Sequence, residues 1–276
     1  MISLFKDFFS YDFIVRAVVV GILVALCAAL LGVSLVLKRY SMIGDGLSHV
    51  GFGSLSVAMA FHLAPLVVSV PIVVLAAFML LRISENSKIK GDAAIALIAS
   101  SSLAIGVIIT AQTTGMNTDV CGYMFGSILA MSRSDVYISV GLSIVVLLLY
   151  ILFYNKIFAI TFDESFAKAT GTKANLYNML IAFLTAITIV VGMRMMGAML
   201  ISSLIIFPAL TSMRICRSFA SVTICSAILS IVCFFAGIFI SFTYSTPAGA
   251  SVVIVNLIAF CIFSFIGKFV KGRCKS

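Results

Sequence analysis

Charge is scarce in this chain. Only 10% of its 276 residues are Asp, Glu, Lys or Arg, where a soluble domain carries about a quarter. Histidine occurs twice and Asp and Glu together nine times, too few for a Ser/His/Asp hydrolase centre or an acidic proton relay. No G-x-x-x-x-G-K-[ST] stretch occurs, which excludes a P-loop nucleotide site. The seven cysteines are odd in number, lack C-x-x-C spacing and mostly sit in apolar runs, where Cys behaves as a small hydrophobe. A disulfide scaffold and a thiolate metal site are thereby set aside. What fills the chain is hydrocarbon: 63% of residues are hydrophobic, and the mean hydropathy is +1.27. One core cannot hide that much apolar surface from water, so lipid must be the solvent for most of it.

The apolar runs divide into segments of spanning length, given that a membrane helix needs about 20 residues. They run over Phe13–Leu37, Asp45–Phe61, Leu66–Leu81, Ala93–Gln112, Val136–Tyr154, Ala174–Met193, Gly197–Met213, Phe219–Tyr244 and Ala248–Gly267. The expected fold is an all-α polytopic bundle of about nine transmembrane helices, within a range of about eight to ten. Val120–Met131 is too short to cross and reads as re-entrant or interfacial. An outside N-terminus puts 14 of the 18 Lys and Arg on the inside, among them Lys38, Arg39, Lys156, Lys168 and Lys173. The net charge of +9 is therefore charge flanking spans and no sign of nucleic acid.

Three stretches carry chemistry. In the first, Ser41–His49, Asp45 lies inside a span, where an ionisable group costs about 2.5–3.5 kcal/mol and usually faces a pathway. His49 follows at i+4, so a helix projects both from one face, the spacing that offers two ligands to one metal. Carboxylate and neutral imidazole suit Zn²⁺ well and Mn²⁺ or Fe²⁺ tolerably. Two copies across a twofold axis would supply two Asp and two His, and the small residues Gly44, Gly46, Ser48, Gly51, Gly53, Ser54 and Ser56 would permit close approach. An Asp–His pair that only neutralises itself, with the glycines serving packing, fits the same residues. His62, alone before Ala64-Pro65, reads as an interfacial polar tip.

The second stretch is Thr161–Gly171. Thr161 and Glu164 fit a capping box and Gly171 a helix stop. The expectation is one short amphipathic helix with Phe162 and Phe166 on one side, either an ordinary turn or a docking helix. The third is Gly197–Ala209, where Pro208 frees the Leu204 carbonyl and forces a bend or another partner for it.

These three stretches, in order, resemble the zinc/manganese-type metal permease family of binding-protein-dependent ABC importers. The carriers are Leu37-Lys38-Arg39 with Ser41–His49, then Phe162-Asp163 through Ala167, Ala169 and Gly171, then Gly197 through Pro208-Ala209. The resemblance implies that residues 1–276 form a single transmembrane permease domain in the bacterial cytoplasmic membrane, with a coupling helix near residues 162–171. It implies a second copy of the chain, cytoplasmic ATP-binding subunits and an extracytoplasmic metal-binding protein as partners, beside membrane lipid. It implies no permanently bound cofactor, only a transported Zn²⁺ or Mn²⁺, with Asp45 and His49 in the translocation path. Phe162, Asp163, Glu164, Phe166, Ala167 and Gly171 become ATPase-coupling residues, and Pro208 a helix break. Two rivals are a type-II importer permease for a metal chelate or cofactor, and a secondary cation transporter working alone. The first would have no use for Asp45 and His49; the absence of acid ladders speaks against the second.

Overall fold

The computed structural model describes residues 12–86, 91–113 and 133–272; the Val120–Met131 stretch lies outside them. The described residues form eleven helices and no strand. In chain order they are α1 (Asp12–Leu37), α2 (Ser41–Ala60), α3 (Pro65–Asn86), α4 (Gly91–Gln112), α5 (Arg133–Leu152), α6 (Tyr154–Phe162), α7 (Glu164–Ala169), α8 (Ala174–Met196), α9 (Ala198–Ser212), α10 (Phe219–Tyr244) and α11 (Ala248–Gly272). In lipid every backbone group must be satisfied within the segment, which is why uniform apolar runs become helices.

The breaks between helices have local causes. After α1, Arg39 N–H bonds the Val36 carbonyl at 3.1 Å and Tyr40 N–H the Leu35 carbonyl at 2.8 Å. This is a Schellman stop with Arg39 at φ 62° where glycine usually sits, a conformation that costs a side-chain-bearing residue about 1–2 kcal/mol. Between α8 and α9 the turn falls on Gly197 at φ 86°. Ser218 and Ser221 close a capping box at the start of α10.

Six helices are long and apolar enough to cross a membrane: Ile14–Leu37, Pro65–Ile83, Asp92–Gln112, Ala174–Arg194, Phe219–Tyr244 and Ala248–Lys268. A seventh span is reached if Val136–Leu152 and Tyr154–Phe162, bent by 68°, count together. The expected nine are not all of this kind. The two that differ are α2, diluted by glycine and serine, and α9, whose 15 residues reach only about 22 Å against a hydrocarbon core of about 30 Å.

Both exceptions lie inside the bundle. Eleven of the fifteen α9 residues and thirteen of the twenty in α2 are buried, whereas α4 and α11 expose Leu97, Ile105, Ile254 and Phe265 outward. A helix wrapped by other helices need not be apolar toward lipid. The α1–α9 contact is backbone-close: a Cβ on Gly32 would stand 2.0 Å from the Ile205 carbonyl oxygen. On α2, added Cβ atoms would meet Ile205 of α9 at Gly44, Ile95 of α4 at Gly46, Met193 of α8 at Gly51, and the Ser102 carbonyl of α4 at Gly53. The small residues expected to serve a twofold approach are thus occupied by neighbours in the same chain.

Candidate functional site

Asp45 and His49 lie in the first half of α2. Met42 is exposed and Asp45 and His49 are half-buried, a stripe at i, i+3 and i+7 that neighbouring helices leave open. His49 Nε2 stands 3.7 Å from Asp45 Oδ2, with side chains 24% and 49% exposed respectively. That distance is an ion-pair approach and too long for a hydrogen bond. The other oxygen, Asp45 Oδ1, accepts from the Ser202 hydroxyl at 3.3 Å. Ser202 has one proton and also donates to the Ala198 carbonyl at 3.1 Å, so it holds Asp45 weakly. The backbone of the pair is firmer, since Ser48 Oγ donates to the Asp45 carbonyl at 2.7 Å.

One carboxylate, one imidazole and one hydroxyl therefore converge where α2 meets α9. Among the described residues no group of three or more His, Cys, Asp or Glu could hold a metal. One chain offers an incomplete shell, since zinc normally takes four ligands. Such a set is an open, partial donor group, unlike a closed structural site.

The second stretch departs from expectation in its cap. Thr161 is buried within α6, and the chain breaks at Asp163 with φ −147° and ψ 99°. Asp163, rather than Thr161, caps α7, its carboxylate accepting from Phe166 N–H at 2.9 Å. Phe162 ends α6 and Phe166 lies in α7, so they belong to two helices rather than one. Both are open, at 78% and 67% exposure. Phe158 extends that aromatic surface, its ring 5.9 Å from Phe162 and 5.1 Å from the buried Phe219. Ala167 is buried against the bundle. Gly171, at φ 82°, stops α7 as expected: its N–H bonds the Lys168 carbonyl at 3.1 Å, and Thr172 N–H the Ala167 carbonyl at 2.9 Å.

Glu164 is bound in place of capping. Its Oε1 pairs with Lys168 at 2.8 Å and its Oε2 with Lys38 at 3.1 Å, while Asn178 Nδ2 donates to Oε2 at 3.2 Å. Partial burial pushes the Glu164 carboxyl up, but the hydrogen bonds from Lys168, Asn178 and Lys38 outweigh it and hold it down at about 2. The contact joins Lys38 and Glu164, both assigned to the inside by charge, at one end of the bundle.

Pro208 is buried within α9, which continues through it to Ser212. The helix is therefore not interrupted at Pro208, and the boundary between α8 and α9 falls at Gly197, where the two expected spans part. His62 is an exposed residue at φ 55° in the turn between α2 and α3, far from Asp45 along α2. Sequence reading missed Ser202, Lys38 and Asn178 as partners of the two carboxylates. Lys38 and Ser202 belong to the ordered stretches and Asn178 to none of them, and the pairs are separated by 157, 126 and 14 residues.

Known proteins are similar to this chain over most of its length. The manganese import system permease protein ScaB of Streptococcus gordonii is 29% identical over 269 residues, covering 96% of both chains. The high-affinity zinc uptake system membrane protein ZnuB of Haemophilus influenzae is 29% identical over 256 residues, 92% of this chain and 98% of that protein. Among solved structures, PsaBC from Streptococcus pneumoniae in complex with Fab superposes with a TM-score of 0.89 at 29% identity, covering 99% of this chain and 100% of that one. Residues 10–267 match the sequence pattern of the ABC 3 transport family, and the chain belongs to that family as a multi-pass permease of the bacterial plasma membrane.

Proposed function

We propose that this chain is the membrane subunit of an ATP-driven importer of divalent metal ions, zinc before manganese and manganese before iron. The observation that carries the reading is the half-buried Asp45–His49 pair on the open stripe of α2, with Ser202 alongside. Named relatives that move manganese or zinc support it. In this reading the ion passes along α2 and α9, which also traverse the membrane inside the bundle and bring the spans to nine. A second copy supplies the other Asp and His and completes the shell. Neutral His49 and ionised Asp45 are the binding forms, so protons compete with the ion.

The energy comes from elsewhere, because the sequence has no P-loop. Cytoplasmic ATPase subunits dock on α7 and the exposed rings of Phe162 and Phe166, since buried aromatics dominate protein contacts. An extracytoplasmic metal-binding protein delivers the ion to the other face. The test is reconstitution: the purified chain in liposomes moves no Zn²⁺ or Mn²⁺ until ATPase, binding protein and ATP are added. Robust gradient-driven flux from the chain alone would refute the importer reading.

A further inference from the structure

Lys38 stands at a junction that neither the pathway nor the docking surface explains. Its side chain is only 8% exposed, and a nearly buried ammonium persists only when paired. Its partners come from two other elements: Glu164 at the start of α7 and Asn178 in α8. Lys38 Nζ donates to Glu164 Oε2 at 3.1 Å and to Asn178 Oδ1. Asn178 Nδ2 returns a bond to the same Glu164 oxygen at 3.2 Å, closing a three-membered polar ring. Lys38 immediately follows α1 and precedes α2 by three positions, and Asp45 lies seven residues on, about two helical turns.

The joint it occupies is stiff along the chain and has a small cavity at its side. The Schellman bonds at Arg39 and Tyr40, followed by Ile43 N–H to the Tyr40 carbonyl at 3.0 Å, lock α1 to α2. Beside it a cavity lined by Leu35, Tyr40, Ile43, Leu81 and Thr185 opens at Lys38 and Asn178. Leu35 and Ile43 pack with Ile181 and Ala182 of α8 in the apolar core, and the polar ring adds the charged link that reaches α7.

We propose that Lys38 is a positioning residue for transport: through Glu164 and Asn178 it ties α7 to the joint from which the Asp45–His49 helix starts, so that movement of α7 is delivered to α2. The inference rests on α7 being the ATPase-docking helix, and it adds the path by which that contact reaches the metal ligands.

The test is the amount of Zn²⁺ or Mn²⁺ transported per ATP hydrolysed by the complete assembly in proteoliposomes. Lys38→Met should leave the ATPase bound and hydrolysing while metal per ATP falls about tenfold, the scale of an ordinary coupling between sites. Lys38→Arg, which keeps the charge and its donors, should restore most of it; a bystander contact would show no such ordering. If Lys38→Met fails to reach the membrane, Asn178→Leu, which removes the third member of the ring, carries the same expectation. An unchanged metal-to-ATP ratio in these variants overturns the proposal, as does loss of the ATPase from Lys38→Met, which would make the ring a brace for docking only. Phe166→Asp separates the two readings. If it releases the ATPase while Lys38→Met keeps a normal ratio, only the Lys38 path fails; if it leaves the ATPase bound and transport intact, the docking reading fails with it.

Discussion

Asp45 and Glu164 each have a basic partner four residues further along their chain segment, His49 and Lys168, and the two carboxylates are used very differently. Glu164 is saturated: Lys168, Lys38 and Asn178 approach at 2.8, 3.1 and 3.2 Å and occupy both oxygens. Asp45 is underused, with His49 at 3.7 Å and a shared serine hydroxyl at 3.3 Å. A saturated carboxylate holds structure, because its lone pairs are spent on neighbours with fixed positions. An underused one inside a bundle keeps lone pairs for a visitor. The same i, i+4 pattern thus marks a fastener at one end of the molecule and, in the proposed reading, an opening for a cation within it, and what distinguishes them is the company supplied by other helices.

The strongest way to break the contrast is to move α9 away from α2. A Cβ at Gly32 would meet the Ile205 carbonyl at 2.0 Å, so Gly32→Val should displace α9, separate Ser202 from Asp45 and cost about 1–3 kcal/mol or more. Thermal unfolding in detergent and transport rate should both fall; unchanged values would show that the α1–α9 approach is dispensable. A smaller effect sharpens the other member of the pair. Glu164 lies at about 2 rather than 4.5, so its folded form is depressed, and its stabilisation is complete above 4.5 and lost as pH falls toward 2. Glu164→Gln should lower the thermal midpoint by a few degrees near neutral pH, limited by solvent screening. It should also flatten the loss expected of the unmodified chain between pH 4.5 and 2. Parallel pH curves for the two proteins would contradict the saturated description. Smallest is Ser202→Ala, which removes one shared bond worth about 1 kcal/mol. Apparent metal affinity should shift by no more than about fivefold with turnover nearly kept, and complete loss of uptake would make Ser202 a ligand in its own right.

Much of this was readable in the sequence, and the boundary is physical. Apolar runs announce helices because lipid leaves the backbone no other choice, and the Asp45/His49 spacing fixes their common face without any tertiary information. Gly171 as a stop followed from its tolerance of positive φ. What escaped was pairing at a distance. Nothing local in Lys38 tells that it meets Glu164, 126 positions on, or in Ser202 that it meets Asp45. The Thr161 cap was misplaced because Asp163, equally suited to capping, competes for the same turn, and α6 draws Thr161 into its own buried side. Pro208 does not interrupt α9, and the expected boundary before that span falls at Gly197, where the backbone could turn at little cost. The glycines of α2 looked like a self-association surface because small residues mark close approach without naming the partner, and α3, α4, α8 and α9 turned out to be there.

The most direct measurement is metal uptake by membranes carrying the complete importer with Asp45→Ala or His49→Ala, at matched expression and with the ATPase still co-purifying. The account predicts that both substitutions abolish Zn²⁺ and Mn²⁺ uptake while assembly persists. Wild-type rates in both would contradict it, and would reduce Asp45 and His49 to a pair that neutralises itself.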